Sequence, residues 1–393
     1  MADHIPFITG QDACVLVTKH YSDSDYARVQ LDRADSLVGH LPRSVKLWLD
    51  PSVEGLDDLA TRRPTADRQN SWFEFMKNIP GFEMVGNPGF HTNPDPKVVS
   101  QFVSGVLDLC VKHKPAWITV PQLPRASDSS RNRINRLLAK STGEWKSSHN
   151  FSGRFILPLI FTHQDQVNGK TQRNPQVKQA GRCYHEAQAD GFWAVDKTLD
   201  DESGSKTLRN TRVPAIVALH QELNDEISSK IKIAGPYWGM NLLLWARGLV
   251  DYPAIGVGNA YQYFLAGGHA KSPITSLAIS ALRRRVKVAR LEKWLDAAAK
   301  TLGQTHPSCA ELEQMRKQLG LLSLPDRARE QVARFYKAWF SLLAAPPRAG
   351  RPLALFQDLS GAFALGRSLP EFEDEGTARR PESVVEPLML NCL

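Results

Sequence analysis

The chain has 393 residues, of which 42% are hydrophobic and 23% charged, and it carries a formal net charge of +8 with a pI near 9.2. This is the composition of an ordinary soluble globular protein. No apolar run reaches the roughly 18 uncharged residues that a membrane-spanning helix needs, and the amino-terminal sequence has no signal-peptide pattern. The positive charge permits attraction to nucleic acid or to anionic small molecules.

Eight apolar runs, bounded by turn-forming residues, are predicted as strands. They are "ACVLVTKH" from Ala13, "VKLWLDP" from Val45, "FEMVG" from Phe82, "AWITVPQLP" from Ala116, "FILPLIFTH" from Phe155, "GFWAVDKT" from Gly191, "IKIAGPYWG" from Ile231, and an eighth between Pro253 and Gly268 that is either "AIGVG" or "YQYFLAGG".

The first seven runs start 32, 37, 34, 39, 36 and 40 residues apart, by subtraction of these positions. A period in the thirties is typical of a strand followed by a crossover helix, and continuous apolar character is typical of parallel strands. The intervals have helical periodicity. In "PKVVSQFVSGVLDLCVKH" from Pro96, for example, five apolar residues share one face: Val99, Phe102, Val103, Val106 and Leu107.

This alternation predicts an α/β fold, a (β/α)8 TIM-type barrel over residues 1–268. The alternative is a doubly wound open parallel sheet, although no Gly-rich GxGxxG follows the first strand. Residues 269–345 are predicted as a basic helical extension whose first helix begins at Ser272 and Pro273. From Pro346 on, periodicity fades, and residues 346–393 are predicted as an irregular or partner-bound tail.

In such a barrel the carboxyl ends of the strands form the active-site face. Acids and bases at these ends are candidates for acid–base or nucleophilic catalysis: Lys19, His20, Asp50, His163 and Asp196. Asp50 and Asp196 end the second and sixth predicted strands, which lie opposite each other, so their carboxylates are expected to flank a ligand. Lys197 follows Asp196 directly and is expected to point away from the barrel. Turn or helix-capping roles remain the alternative for both aspartates.

Other polar, aromatic and glycine residues of the same rim are candidates for substrate binding: Gln122, Tyr237, Trp238, Asn259, Tyr261, Gly267 and Gly268. The two aromatic rings suit stacking on a base or sugar, and the Gly-Gly pair precedes a predicted helix start, where phosphate is often bound. Packing of Trp238 in a satellite core is the alternative.

The segment "ALRRRVKVARLEK" is predicted as a basic helix with an apolar face. Its cations are candidates for binding nucleic acid or a partner protein: Arg283, Arg284, Arg285, Lys287 and Arg290. A solvated helix face is the alternative interpretation.

Metal and disulfide sites are not predicted. The five cysteines (Cys14, Cys110, Cys183, Cys309, Cys392) have no paired spacing, which favours a reducing, cytoplasmic setting. No HxH or HExxH motif is present. Residues from separate strand ends, such as His20, Asp50 and His163, could still assemble a metal site, and the cofactor is left unknown.

In length, charge and paired aspartates the predicted barrel resembles the tRNA-guanine transglycosylases, barrel enzymes that exchange a nucleic-acid base. The resemblance is in architecture only. The string nearest to their Asp-Ser-Gly-Gly-Phe-Gln stretch is "GNPGFHTN", residues 86–93, which lacks the acid, and their Cys-rich zinc motif is absent.

Two functions are therefore expected. The first is an enzyme, a transferase or hydrolase that acts on a nucleotide, a nucleic acid or another phosphate-bearing ligand at the mouth of the barrel. The second is a non-catalytic barrel scaffold that binds nucleic acid or a partner protein through basic helices. Neither involves a membrane.

Overall fold

The computed structural model describes residues 14–16, 26–41, 43, 45–59, 63, 71–162, 174–196, 206–237, 239–256, 276–287, 291–317, 324–369, 372–374 and 377–393. The main sheet has eight strands in chain order: β1 Cys14–Leu16, β2 Tyr26–Gln30, β3 Lys46–Asp50, β4 Trp117–Thr119, β5 Arg154–Phe161, β6 Gly191–Asp196, β7 Ile231–Ala234 and β8 Tyr252–Gly256.

Strands β2 to β8 are parallel and curl into a half-barrel, and the three-residue β1 pairs antiparallel with both of its edges, β2 and β8. The α/β class and the parallel sheet are thus confirmed. The prediction of eight parallel strands in a regular (β/α)8 barrel is wrong, because seven are parallel and β1 runs the other way. The alternative of an open parallel sheet is consistent with this arrangement.

Helices cover the outer face of the sheet and fill the carboxyl-terminal part of the chain. They are α1 Ala34–Leu37, α2 Ser71–Met76, α3 Phe82–Val85, α4 Pro96–Val111, α5 Ser129–His149, α6 Pro175–Glu186, α7 Lys206–Glu226, α8 Met240–Ala246, α9 Leu291–Leu302, α10 Pro307–Arg316, α11 Leu324–Ala344, α12 Arg351–Ser368 and α13 Glu386–Met389.

Helix α4 forms as its sequence predicts. The side chain of Asp95 accepts a hydrogen bond from the Lys97 N–H at 2.9 Å, and Pro96 occupies the first turn. These are the ordinary signals of a helix start. The predicted apolar face is buried against the sheet, at Val99, Phe102, Val103, Val106 and Leu107.

Two predicted elements are wrong. "FEMVG" is helix α3 instead of a strand, and Phe82 and Val85 are buried on one helical face because they lie three residues apart. Strand β2, in contrast, lies in an interval predicted as helical. Its apolar residues, Ala27 and Val29, alternate with Arg28 and Gln30, which is the two-residue period of a strand.

The basic segment predicted as one long helix begins instead as a hairpin. Strands β9 Ser276–Ile279 and β10 Arg284–Lys287 pair antiparallel, and α9 starts only at Leu291. Arg283 has a left-handed backbone (φ 49°) and turns the chain between the two strands. A continuous helix is incompatible with that conformation.

The predicted irregular tail contains α12, a short hairpin of β11 Phe372–Asp374 and β12 Thr377–Arg379, and α13. Leu355, Leu359, Leu388 and Cys392 from this part are buried in the same hydrophobic cluster as the sheet. The division into regions at residues 268 and 345 stays a prediction. In the described part of the chain, no helix has the length and apolar character needed to cross a membrane.

Candidate functional site

The carboxyl ends of the parallel strands meet along one rim of the sheet. Gln30 of β2 is in register with Asp50 of β3, and Phe161 of β5 is in register with Asp196 of β6. In parallel α/β sheets, whether closed or open, ligands bind at this edge. The polar residues of the rim are therefore described according to the face of the sheet on which they lie.

Trp193 identifies the inner face of the sheet. Its ring meets the ring of Trp48 edge-on at 5.3 Å, although these residues lie on the non-adjacent strands β6 and β3. The guanidinium of Arg28 on β2 lies over the same Trp193 ring at 4.6 Å. Contacts across the sheet are possible only inside its curve, so the side chains of Arg28, Trp48 and Trp193 point inward.

Asp50 also points inward, because it is two residues after Trp48 on the same strand. Its side chain is completely buried and accepts a hydrogen bond from Nε of Arg28 at 2.6 Å. The second Arg28 nitrogen, Nη2, completes a salt bridge with the same carboxylate and lies 3.9 Å from Oε1 of Glu54. Glu54 is buried as well.

The turn after β3 adds a second partner residue to Asp50. The backbone N–H of Ser52 donates to Oδ1 of Asp50 at 2.9 Å, so the two carboxylate oxygens have separate donors. Arg28, Asp50, Ser52 and Glu54 are called the inner cluster below. It combines a cation, two acids and a hydroxyl at the carboxyl end of β2 and β3, a set suited to binding an anion and moving a proton.

Asp196 lies on the other face. It follows Trp193 by three positions and so points outward by the alternation of β6. Its carboxylate forms a buried salt bridge with Arg212 of α7, and its backbone N–H donates to the hydroxyl of Tyr237. Asp50 and Asp196 are therefore on opposite faces of the sheet, and the expected arrangement with both flanking one ligand is wrong.

Gln122 anchors the loop that follows β4. Its Oε1 accepts from Arg125 at 2.9 Å and its Nε2 donates to the backbone carbonyl of Asn135 at 2.8 Å. Arg125 forms an isolated bridge with Phe161 of β5 and lies 3.8 Å from Sγ of Cys183 on α6. These contacts place Gln122 and Arg125 between the sheet and its helices, on the same side as Asp196.

His91 lies away from any strand end, since the predicted third strand is helical. It is buried, and its Nε2 lies 2.7 Å from the carbonyl oxygen of Val85. Burial lowers the pKa of His91, although the bond to Val85 opposes this. The neutral, hydrogen-bonded imidazole holds the end of α3, which accounts for its position without a catalytic role.

The remaining predicted rim residues lie outside the described residues. They are Lys19, His20, His163, Lys197, Trp238, Asn259, Tyr261, Gly267 and Gly268. Tyr237 is described and is buried beside Asp196. The roles predicted for these nine residues and for Tyr237 stay predictions.

The predicted nucleic-acid surface is partly internal. Arg283 donates to both oxygens of Asp358, from Nε at 2.9 Å and from Nη2 at 2.6 Å, and lies 5.4 Å from the Trp339 ring centroid. Arg284 is buried with its guanidinium 4.8 Å from the Trp294 ring centroid. The backbone of β10 includes Arg285 and Lys287, but their side chains and Arg290 are outside the described residues. The two described cations therefore hold the hairpin to α9, α11 and α12.

Three members of the inner cluster were missed from the sequence: Arg28, Ser52 and Glu54. Arg28 lies in the segment predicted as a helix, where the alternation of "YARVQ" was the available signal. "DPSVEG" is typical of a turn, and nothing in it indicates that Ser52 and Glu54 are buried.

In the described ranges, no group of three or more His, Cys, Asp or Glu side chains could hold a metal ion. The described cysteines, Cys110, Cys183, Cys309 and Cys392, are buried free thiols.

Comparisons with known proteins identify no relative. No protein-family profile matches the chain, no curated protein matches it, and no solved structure matches it.

Proposed function

We propose that the chain is an enzyme that binds a phosphate-bearing ligand, a nucleotide or the end of a nucleic acid, at the inner cluster. The observation that carries this proposal is the fully buried Arg28–Asp50 pair at the carboxyl end of β2 and β3, on the inner face of the sheet. Ligands of parallel α/β sheets bind at this edge in both closed and open forms.

Stability alone gives a poor reason for such a pair. Burying two charges costs several kcal/mol per ion, and apolar residues of similar volume often stabilise a core equally well. The aromatic rings of Trp48 and Trp193 also adjoin the pair. A ligand site at this edge of the sheet gives the pair a second reason to be present.

Arginine favours a phosphate ligand for geometric reasons. The planar guanidinium offers parallel N–H donors that match two oxygens of a phosphate, and it retains its charge when buried. The net charge of +8 attracts anions to the molecule as a whole. Trp193 holds the guanidinium plane from one side, so its orientation is set before a ligand arrives.

Asp50 supplies the acid–base chemistry in this proposal. When a phosphate engages Arg28, the carboxylate loses part of its ion pair and becomes available as a proton acceptor for a hydroxyl or water. Asp196, on the outer face, holds α7 through Arg212 and does not contact the ligand.

Arg28→Lys tests ligand binding. Lysine keeps the charge beside Asp50 but loses the paired donors, so we expect affinity for phosphate ligands to fall about tenfold or more. Calorimetric titration with inorganic phosphate, AMP, ATP and a short RNA measures this. Arg283→Lys is the matched control, because Arg283 is also paired with an aspartate and stacked on a ring, and it should leave affinity unchanged.

Asp50→Asn tests catalysis. The amide keeps one acceptor oxygen, which can still serve Arg28, but it turns its NH2 toward the Ser52 N–H and accepts no proton, so turnover should fall about 100-fold or more while binding persists. Phosphorus NMR of reactions with nucleotides and RNA follows the products. A wild-type chain that binds none of these compounds at millimolar concentration, or equal affinity losses in Arg28→Lys and Arg283→Lys, would contradict the proposal.

A further inference from the structure

Ser52 has an unusual backbone for its residue type. It is the second residue after β3, following Pro51, and lies in the left-handed region, with φ 52° and ψ 42°. Steric crowding of the side chain makes this region unfavourable for residues other than glycine, with asparagine and aspartate the best tolerated alternatives. The strain is local to the turn between β3 and the 3-10 helix Val53–Asp58.

Its side chain has a second unfavourable feature. Ser52 is completely buried, and its Oγ makes no hydrogen bond to any residue that the structure describes. A buried hydroxyl without a partner has lost its hydration and gained nothing in exchange. It also makes no capping bond to the 3-10 helix that follows, which is the usual reason for a serine at a helix start.

Glycine at this position would relieve both costs, since it adopts the left-handed region freely and has no hydroxyl. Folding therefore gives no reason for serine here. Conflicts between a residue and its local structure are concentrated at functional sites, where a ligand supplies the missing contact.

The location of Ser52 indicates which ligand. Its N–H donates to Oδ1 of Asp50, whose other oxygen is bound by Arg28. Ser52, which carries the unpartnered hydroxyl, and the buried guanidinium of Arg28 therefore bind the same carboxylate. Another buried atom without a partner, Nδ1 of His220 on α7, has no comparable cluster of charged groups around it among the described residues.

We propose that the Ser52 hydroxyl is a ligand-binding group, which donates a hydrogen bond to an oxygen of the phosphate held by Arg28. This inference rests on the proposed function and adds a specific contact to it. Because the hydroxyl is closed off from solvent in the free protein, binding requires the surrounding segments to open, and association should be slow.

Ser52→Ala and Ser52→Gly test the inference by separating stability from binding. Both remove the unpartnered hydroxyl, so the melting temperature should stay equal or rise, most clearly for glycine. Affinity for inorganic phosphate and AMP should fall about tenfold or more in both variants.

Ser308→Ala is the matched control. Ser308 is also buried, but its hydroxyl lies 2.7 Å from that of Ser280, so its loss should lower the melting temperature and leave phosphate affinity unchanged. If Ser52→Ala behaves like Ser308→Ala, the hydroxyl is structural and the inference is wrong. If Arg28→Lys weakens binding and Ser52→Ala does not, the inference alone fails. If the wild type binds no phosphate ligand, the proposed function fails and the inference falls with it.

Discussion

His220 shows how burial at one position couples folding to pH. The side chain lies on α7 with almost no exposure, and burial, with a smaller contribution from Lys232, lowers its pKa from 6.5 to about 3. The folded state therefore keeps His220 neutral at pH values where the unfolded chain binds a proton. Its contribution to stability is complete above about pH 6.5 and is lost as the pH falls toward 3.

Because of this histidine, we expect the free energy of unfolding to fall by about 2 kcal/mol when the pH is lowered from 7.5 to 5.0. Urea denaturation of wild type and His220→Met at both pH values measures the effect, because methionine fills the site without titrating. The variant should lose less stability over this interval than the wild type. Equal pH dependence in the two proteins would refute the assignment.

The packing of α5 against α6 depends on a glycine. A Cβ at Gly143 would lie 2.2 Å from the backbone carbonyl oxygen of Glu186 at the end of α6, a distance that no rotamer change relieves. The two helices can approach this closely only because residue 143 has no side chain. The contact aligns the two helices over the outer face of the sheet. The polar loop of Gln122 and Arg125 is held between them, because Gln122 bonds Asn135 of α5 and Arg125 lies beside Cys183 of α6.

Gly143→Ala should therefore destabilise the protein by about 1–3 kcal/mol, through displacement of one helix. Gly361→Ala provides the opposite expectation. Gly361 is also inside a helix, α12, but nothing lies within 4 Å of its added Cβ, so alanine should stabilise by about 0.5–1 kcal/mol. Urea midpoints of the two variants give the comparison. A stable Gly143→Ala would show that the helices are not held at this distance.

The carboxyl-terminal helices share one core with the sheet. Trp245 of α8 packs against Phe340 of α11 at 4.5 Å between ring centroids, and Leu388 and Cys392 are buried in the same cluster. Tyr336 of α11 also hydrogen-bonds Asn241 of α8 across this contact. The last part of the chain therefore completes the interior.

A chain ending at Ala345 should lack a cooperative thermal transition and bind a hydrophobic dye, because it loses α12 and α13 and uncovers Trp245 and Trp339. Scanning calorimetry and dye fluorescence measure this. A chain ending at Cys392 is the control, since it lacks only the exposed Leu393. If the chain ending at Ala345 melts within a few degrees of the full-length chain, the sheet has a core of its own.

Local sequence patterns predicted most of the elements around the sheet. The apolar runs at β4, β5, β6 and β7 identified their strands, and the period in the thirties predicted a parallel sheet with crossover helices. The run from Pro96 predicted helix α4, and the Asp95 side chain caps the same helix through a bond to a residue only two positions away. Interactions of this range join residues that are close together in the sequence, so the sequence alone indicates them.

Short sequence patterns were misleading where the same spacing of apolar residues suits both a strand and a helix. "FEMVG" has too few residues to distinguish a strand from a helical turn, and "ALRRRV" suits a helix until Arg283 turns the chain. Strand β2 was missed because its polar residues suggest an exposed segment. Arg28 is inside the sheet, where it pairs with Asp50. That partner is 22 positions away.

By itself the sequence determined the α/β class, the parallel sheet and the positions of Asp50 and Asp196 at strand ends, since these follow from periodicity along the chain. Only the tertiary structure decided that β1 runs antiparallel, that the two aspartates lie on opposite faces, and that Arg28, Ser52 and Glu54 surround the first of them. The physical reason is that the direction of a strand, and the face of the sheet on which a side chain lies, depend on which distant residues are buried together. The inner cluster exists only once the sheet has curled.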